Sequence, residues 1–234
     1  MSVNRTTAYA TTSAAALPAQ PAGPACEVCR DRPAPVVRDL RERPGRGPRA
    51  LLFGPRDVVV VTGLPGSGKS TLMRRAVRGA RVDSQDTRDT WDARLGHRLP
   101  YAVYRPLVRL AHYAALARAL RGDGGVVVHD CGTQSWVRGW LARAARRRGG
   151  TLHLLLLDVT PDTALSGQRE RGRGVSRYAF LRHRGAAARL IRAVERGDLP
   201  AGAGSAVLLD RDAADALRGI GFTGRSQAAP HRLA

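Results

Sequence analysis

The sequence predicts an α/β protein, with a parallel sheet covered by helices on both faces. From Asp57 onward, short apolar runs alternate with helical segments, and each run is continuously apolar instead of alternating with polar residues. Continuous runs are typical of strands buried on both faces of a parallel sheet. Strands separated by helices indicate βαβ units, which build a doubly wound, three-layer sandwich.

The individual elements follow from the same pattern. Five strands are predicted, at 58–62, 81–83, 126–130, 152–158 and 206–210. Helices are predicted at 69–79, 106–121, 135–148, 161–172, 177–196 and 212–218. In the second helix, an apolar stripe at helical spacing has arginines on its other side, the pattern of an amphipathic helix. The stripe consists of Leu107, Leu110, Ala111 and Ala114.

Proline marks the boundary before this region, because eight of the 14 prolines precede Arg56. The segment is rich in Ala, Arg, Gly and Pro, and it buries too little apolar area to offset the entropy cost of ordering it. We therefore expect a disordered tail at 1–50, a folded domain at 56–220 and a mobile C-terminal tail at 221–234. Cys26 and Cys29 form a CxxC pair in the first tail, but the only other cysteine is Cys131, so the signature of a zinc site is incomplete.

Charge and composition narrow the classes of partner. Of the 39 basic residues, Lys69 is the one lysine, and the formal net charge is +20. Such a charge favours nucleotides or nucleic acid as partners, although uniform arginine with abundant Ala and Gly is equally typical of genome-wide composition bias. Three cysteines favour a reducing cytoplasm over a disulfide framework. No apolar run approaches the roughly 20 residues of a membrane helix, so no membrane partner is expected.

The sequence from Gly63 to Ser70 matches the pattern G-x-x-x-x-G-K-[ST] of a phosphate-binding loop. It follows the first strand and opens the first helix, which is the context that the motif needs. The N–H groups of such a loop form an anion site at the positive end of the helix. The predicted nucleotide-binding residues are Gly63, Leu64, Pro65, Gly66, Ser67, Gly68, Lys69, Ser70 and Thr71.

Lys69 strengthens this prediction, because arginine occupies every other basic position. A compact ammonium fits inside the loop as a point charge, whereas a planar guanidinium does not. We expect Lys69 to reach the β- and γ-phosphates and to be catalytic, and the Ser70 hydroxyl to coordinate Mg²⁺. The sequence therefore predicts a site for a nucleoside triphosphate with Mg²⁺.

Two strand ends supply further candidates, since ligands bind at the carboxyl ends of the strands in open α/β sheets. Asp130 ends the third strand and is a candidate magnesium ligand, with capping of the next turn as the alternative. After the second strand, Asp83 and Asp86 are candidates for the catalytic base, and Arg88 for binding an anionic group of the substrate. The alternative for this second segment is a solvated polar loop that caps the next helix.

A third candidate segment lies between the fourth strand and the last long helix. Arg171 and Arg173 flank Gly172, and Gly174 follows, so the segment combines charge with backbone freedom. Such a segment can close over a triphosphate and bring positive charge to the transferring phosphoryl group, so both arginines are candidate catalytic residues. A solvated arginine-rich helix end is the alternative.

These motifs resemble those of small P-loop kinases. The resemblance is carried by T-G-L-P-G-S-G-K-S-T, the acidic segment with Arg88, the V-V-V-x-D strand and R-x-R-x-R-G-V-S. Over about residues 56–211 the chain is most similar to the polynucleotide-kinase and zeta-toxin-like group, often described as AAA-family ATP-binding proteins. The resemblance implies a P-loop NTPase fold with five parallel strands in the order 2-3-1-4-5, and ATP-dependent phosphorylation of a hydroxyl acceptor. In that group an Asp and an Arg usually lie three positions apart, whereas Asp86 and Arg88 are two apart.

Three functions are compatible with these residues. The leading hypothesis is a Mg²⁺- and ATP-dependent kinase for a hydroxyl acceptor, which requires an acid or base near Asp83 and a pocket beside it. An ATPase switch that acts on a partner protein requires only the phosphate loop and Asp130. An arginine-rich nucleic-acid-binding module is the third, and it is disfavoured because aromatic residues are 5% of the chain and mostly lie outside the arginine clusters.

Overall fold

The computed structural model describes residues 36–43, 47–96, 98–129, 134–170 and 175–223. The strands in these ranges are β1 Val36–Asp39, β2 Ala50–Phe53, β3 Val58–Gly63, β4 Ala80–Val82, β5 Val126–His129, β6 Leu152–Leu157, β7 Ala203–Leu209 and β8 Gly219–Phe222. The helices are α1 Lys69–Ala76, α2 Ser84–Leu95, α3 Tyr101–Ala119, α4 Ser135–Arg147, α5 Pro161–Arg169, α6 Arg177–Glu195 and α7 Arg211–Ala216.

The main sheet has six strands in the order β1-β7-β6-β3-β5-β4, and all of its neighbouring strands are parallel. The five strands predicted from the sequence are β3, β4, β5, β6 and β7, and their order in the sheet is 2-3-1-4-5. The order implied by the family resemblance is therefore confirmed. The expected strand number of five is corrected to six, because β1 adds an edge strand beside β7.

The central strand β3 divides the core into two layers, because its successive side chains point to opposite faces of the sheet. Val58 and Val60 pack in one layer with side chains of α3, α4 and α6. Val59 and Val61 pack in the other layer with side chains of α1, α7 and β8. The predicted α/β class, with helices on both faces of a parallel sheet, is confirmed.

The first strand lies within the segment 1–50 that we expected to be a tail. Val36 pairs with Ser205, and the pairing continues to Asp39 opposite Leu208. This strand gives little sequence signal because it is four residues long, lies at the sheet edge and exposes 49% of Val36. The folded domain thus begins earlier than the expected boundary at residue 56. Residues 1–35, with Cys26 and Cys29, lie outside the described residues.

An ion-pair cluster fixes the turn after β1 to the rest of the domain. The Arg41 guanidinium lies 2.6 Å from a carboxylate oxygen of Asp39, 2.7 Å from one of Asp158 and 2.8 Å from one of Glu195. Asp158 follows β6 and Glu195 ends α6, so the Arg41 side chain connects these two elements to the turn after β1.

A second, two-stranded sheet pairs β2 with β8 in parallel. Leu51 and Ile220 are buried in the layer that also contains α1. Because β8 ends at Phe222, the ordered domain extends past the expected boundary at residue 220, and β2 extends it before residue 56. Residues 224–234, which hold most of the expected C-terminal tail, lie outside the described ranges.

Helix α3 turns the face opposite to its leucine stripe toward the protein. Leu107 and Leu110 are 47% and 66% exposed, whereas Tyr104, Val108 and Leu116 are buried. The sequence pattern is ambiguous because apolar residues occur on both sides of this helix. In the described part of the chain, no helix is long and apolar enough to cross a membrane.

Candidate functional site

The phosphate loop, residues 63–70, connects the end of β3 to the start of α1. Glycine is required at two of its positions. Gly66 and Gly68 have φ angles of 93° and 91°, which L side chains rarely adopt. A Cβ on Gly66 would also collide with the carbonyl oxygen of Ala164. The loop therefore packs against α5 through bare backbone, and α1 begins at Lys69.

The Lys69 side chain lies inside this loop and is 5% exposed. Its Nζ donates to the carbonyl oxygens of Gly63 at 2.9 Å and Leu64 at 2.6 Å, and lies 3.3 Å from Oγ of Ser67. An ammonium suits this enclosure because its three donors point in different directions, whereas a guanidinium is planar and wider. The structure thus places the one lysine of the chain inside the phosphate loop.

Two cavities flank the loop. The smaller, of about 220 Å³, lies beside α1 and is lined by loop residues together with Thr71, Arg75, Arg211 and Asp215; we call it the α1 cavity. The larger, of about 390 Å³, is lined by loop residues and by side chains of α2, α3, β5 and α6; we call it the α3 cavity. Lys69 and Ser70 line the α3 cavity, while Gly66 and Gly68 line both.

Asp83 is the N-cap residue of α2 and is 2% exposed. Its Oδ1 accepts a hydrogen bond from the backbone N–H of Gln85 at 2.9 Å and lies 3.1 Å from Nδ1 of His129. Burial alone would raise the pKa of the Asp83 carboxyl, but the hydrogen bond and charge of His129, with the Gln85 N–H and the Ser70 side chain, outweigh it. The pKa of Asp83 therefore lies well below its usual range, and the side chain is a carboxylate at neutral pH.

The side chains near the loop fit a magnesium ion. Asp83 Oδ2 is buried and has no hydrogen-bond partner among the described residues, and the Ser70 side chain approaches the same carboxylate. A carboxylate and a hydroxyl are hard oxygen donors, and Mg²⁺ is usually bound by one or two carboxylates together with phosphate oxygens and water. The described residues contain no cluster of three acidic, His or Cys side chains that could hold a metal by themselves. Asp130, the other predicted ligand, lies outside them.

The acidic segment after β4 forms a helix, α2, instead of a polar loop. Asp86 and Arg88 therefore face different sides, because residues two apart are separated by about 200° around a helix. Asp86 lies 3.4 Å from the guanidinium of Arg81 and does not line the α3 cavity. Arg88 does line it, with its guanidinium 3.9 Å from the ring centre of Tyr101. Neither candidate base is among the described residues that line the α3 cavity, but Asp83 contacts His129 and Ser70, which do line it, whereas Asp86 pairs with Arg81.

Gln168 is a site residue for which the sequence carries no recognisable signal. It is 7% exposed, its Nε2 donates to the carbonyl oxygen of Pro65 at 2.9 Å, and its Oε1 accepts from the N–H of Val175 at 3.0 Å. One amide side chain thus joins the phosphate loop to the residue after the 171–174 segment. Arg171 and Arg173 themselves lie outside the described residues.

The wall of the α3 cavity also holds residues that belong to none of the predicted motifs. On α3 these are Arg105, Arg109 and His112, and on α6 they are Arg182 and His183. Burial is the largest of the causes that lower the pKa of His112. Arg105, Arg109 and His112 are spaced by four and then three residues along α3. This spacing indicates a shared helix face, since residues at i, i+4 and i+7 lie on one side of a helix.

Comparison with solved structures finds matches at low sequence identity. The PezAT toxin–antitoxin system of Streptococcus pneumoniae is 13% identical, with 74% of this chain and 80% of that chain covered and a TM-score of 0.49. A gluconokinase from Sinorhizobium meliloti 1021 is 18% identical, with 70% and 92% covered and a TM-score of 0.38. A shikimate kinase from Bacteroides thetaiotaomicron is 15% identical, with 66% and 86% covered and a TM-score of 0.34. No curated protein matches the chain by sequence.

A family model described as AAA domain, AAA_33, matches residues 58–193. The matched range begins at the first residue of β3 and ends inside α6, so it contains the phosphate loop, Asp83 and the helices that line the α3 cavity. This confirms the resemblance to AAA-family P-loop proteins that the motifs indicated. Since the match spans more than half of the 234 residues, the chain belongs to the AAA_33 family of AAA domains.

Proposed function

We propose that this protein is a Mg²⁺-dependent phosphotransferase that moves the γ-phosphoryl group of ATP to a hydroxyl acceptor bound in the α3 cavity. The observation that carries the proposal is the pair of cavities on the two sides of one phosphate loop. A kinase needs two adjoining compartments that meet where the γ-phosphate lies. An ATPase switch needs only the nucleotide compartment.

The nucleotide fits the loop and the α1 cavity. The loop N–H groups and the positive end of α1 attract the phosphates, and Lys69 supplies one full positive charge among them. In this arrangement the nucleoside extends into the α1 cavity, past Thr71, while the γ-phosphate faces Ser70 and the α3 cavity.

The proposed phosphoryl transfer is an in-line displacement at the γ-phosphorus. The acceptor hydroxyl oxygen forms a bond to the γ-phosphorus, and the bond from that phosphorus to the β–γ bridging oxygen breaks, so ADP leaves with the electron pair and the hydroxyl proton is released. Lys69 stabilises charge on the phosphoryl oxygens as it develops. Ser70 and Asp83 would hold Mg²⁺, which would supply positive charge beside the phosphates.

Asp83 acts in this proposal as a metal-binding and positioning carboxylate. Its pKa, held low by His129 against the effect of burial, makes it a weak base for a hydroxyl proton. Weak assistance suffices, since the transition state of phosphoryl transfer is loose and needs little deprotonation of the attacking group. His129 contacts Asp83 and also lines the wall of the α3 cavity.

Calorimetric titration with the ATP analogue AMP-PNP and Mg²⁺ tests the nucleotide site. We expect Lys69→Ala to weaken binding by about 10- to 100-fold, because one charge-assisted hydrogen bond to phosphate is lost. Arg78→Ala is the matched control, since Arg78 is an exposed cation just after α1 that lines neither cavity. Equal affinities for wild type and Lys69→Ala would refute the assignment of the phosphate loop.

A transfer assay with γ-labelled ATP separates a kinase from an ATPase. Label that appears in an added hydroxyl compound, and that disappears with Lys69→Ala, supports the proposal. Label released only as inorganic phosphate, at a rate that no acceptor changes, contradicts it and favours the switch.

A further inference from the structure

The acceptor side of the α3 cavity is strongly cationic. Five basic side chains line it, and the lining residues within the described part of the chain include no aspartate or glutamate. They are Lys69, Arg88, Arg105, Arg109 and Arg182. In a chain with 38 arginines an arginine is weak evidence by itself, but the chain also has 19 acidic residues, and none of those that the structure describes lines this wall.

Three of these arginines are not neutralised by the protein. Arg88 already has partners, since its Nε lies 3.4 Å from a carboxylate oxygen of Asp92 and its guanidinium stacks on Tyr101. In contrast, Arg105, Arg109 and Arg182 form no ion pair within the described part of the chain. All three side chains are exposed, so solvent and salt screen their mutual repulsion, and an anion that enters the cavity is attracted by the three positive charges together.

The three arginines also come from two helices. Arg105 and Arg109 are one helical turn apart on α3, and Arg182 lies on α6 and lines the same cavity. Planar guanidinium groups suit oxyanions because they offer paired N–H donors that match a carboxylate or a phosphate. The three arginines lie on α3 and α6, outside the phosphate loop, so they can hold a second anion in addition to the triphosphate.

The rest of the wall limits what carries that anion. Val108, Leu116, Val128 and Val137 are buried side chains that line the cavity and give it an apolar part. A volume of about 390 Å³ is near the lower end of the range for small-molecule sites, about 300–1,000 Å³. Such a space suits one small molecule.

We propose that the acceptor is a small hydroxylated molecule that carries an oxyanion, a phosphate monoester or a carboxylate, bound by Arg105, Arg109 and Arg182. This inference rests on the proposed kinase function and specifies its substrate class. Its hydroxyl group lies toward Lys69 and Ser70 and becomes the new phosphate ester, while its oxyanion lies against the arginines and holds the molecule in that orientation.

Chemical protection tests the anion site without requiring turnover. The full chain, saturated with AMP-PNP and Mg²⁺, is treated with phenylglyoxal, and modification of each arginine is followed by peptide mass spectrometry. Inorganic phosphate is the probe in one arm and acetate in the other. We expect one anion to slow modification of Arg105, Arg109 and Arg182 by about 10-fold near saturation, since a bound guanidinium is withdrawn from reagent. Arg118, an exposed α3 residue outside the cavity, is the internal control and should react unchanged.

The outcomes are distinguishable. If AMP-PNP does not bind, the proposed function fails and the substrate class with it. If AMP-PNP binds but neither phosphate nor acetate protects these arginines beyond Arg118, the substrate class alone is refuted. Protection by one probe identifies which oxyanion the site takes.

Transfer assays with matched compounds give a second measurement. Ribose is compared with ribose 5-phosphate, and glucose with glucuronate, in the presence of ATP and Mg²⁺. We expect kcat/KM to favour the charged member of a pair, and the double variant Arg105→Ala/Arg109→Ala to lower that value by about 10- to 100-fold, while Arg118→Ala leaves it unchanged. Faster transfer to the neutral members would overturn the proposal; if no compound of the panel is phosphorylated, the protection experiment decides.

Discussion

Nδ1 of His129 lies 3.1 Å from Oδ1 of Asp83, which connects the end of β5 to the start of α2 at the edge of the sheet. The Ser84 hydroxyl oxygen lies 2.5 Å from the same ring nitrogen. Because β4 and β5 are neighbouring parallel strands, their carboxyl ends bring these side chains together beside the phosphate loop. The pair fixes the orientation of the one buried carboxylate that the described residues bring to the site.

Asp83→Asn tests the role of this carboxylate. The substitution keeps the size of the side chain and removes its charge, so the fold should persist while magnesium is held less tightly. We expect the Mg²⁺ concentration for half-maximal turnover to rise by about 10- to 100-fold, measured by titrating Mg²⁺ at fixed ATP. Asp86→Asn is the matched control, because the Asp86 carboxylate is exposed and pairs with Arg81 instead of Ser70 or His129. An equal effect of both substitutions would argue against a specific role for Asp83.

Asp57 links the start of β3 to its neighbours and predicts an acid-dependent stability. Its oxygens accept from the N–H of Gly54 at 2.6 Å and of Thr151 at 2.7 Å, and Oδ2 lies 2.8 Å from Nε2 of His153. Burial raises the pKa of Asp57, but these partners outweigh it, so the pKa lies below its ordinary value. The stabilisation is then fully present above the unfolded pKa, about 4, and is lost as the pH falls below it.

Urea unfolding at several pH values measures this effect. We expect the free energy of unfolding of the wild type to decline more steeply between about pH 4 and pH 2 than that of Asp57→Asn, since only the wild type must protonate a stabilised carboxylate. Nucleotide binding at neutral pH should change little in the variant, because Asp57 precedes β3 and the phosphate loop follows it, about 20 Å away along the strand. Parallel pH profiles for the two proteins would contradict the prediction.

Gln168→Ala should loosen the phosphate loop. The substitution leaves the Pro65 carbonyl and the Val175 N–H without their side-chain partner, which costs about 1–3 kcal/mol of stability. We expect a lower thermal midpoint and weaker AMP-PNP binding by calorimetry, since the nucleotide must then order the loop itself. Ser166→Ala, an exposed position on the same helix, is the control and should alter neither quantity.

Gly66→Ala should abolish nucleotide binding. The variant should still fold, but with a lower free energy of unfolding than the wild type. The new Cβ would meet the Ala164 carbonyl oxygen, and the φ angle of 93° is itself unfavourable for alanine. Gly139→Ala on α4 is the opposite case, because nothing lies within 4 Å of its Cβ position. Gly139→Ala should raise the free energy of unfolding by about 0.5–1 kcal/mol, measured by thermal unfolding. Normal AMP-PNP affinity of Gly66→Ala would mean that the loop tolerates a shift of α5.

The sequence by itself determined the class of fold, the central strands and the phosphate loop. These features depend on local pattern, since a continuous apolar run before G-x-x-x-x-G-K-S needs no distant contact to be recognised. Ser70 and Lys69 were predicted for the same reason. Arg171, Arg173 and Asp130 remain predictions, because they lie outside the described residues.

Only the tertiary structure decided which of the remaining candidates meet. It separated Asp86 from Arg88 by making their segment a helix, and it paired Asp83 with His129, 46 positions away in the chain. It also brought Arg182 to the cavity lined by Arg105, and added β1 to the sheet edge. Such relationships depend on the packing of elements distant in sequence, and neither side-chain spacing nor composition carries that information.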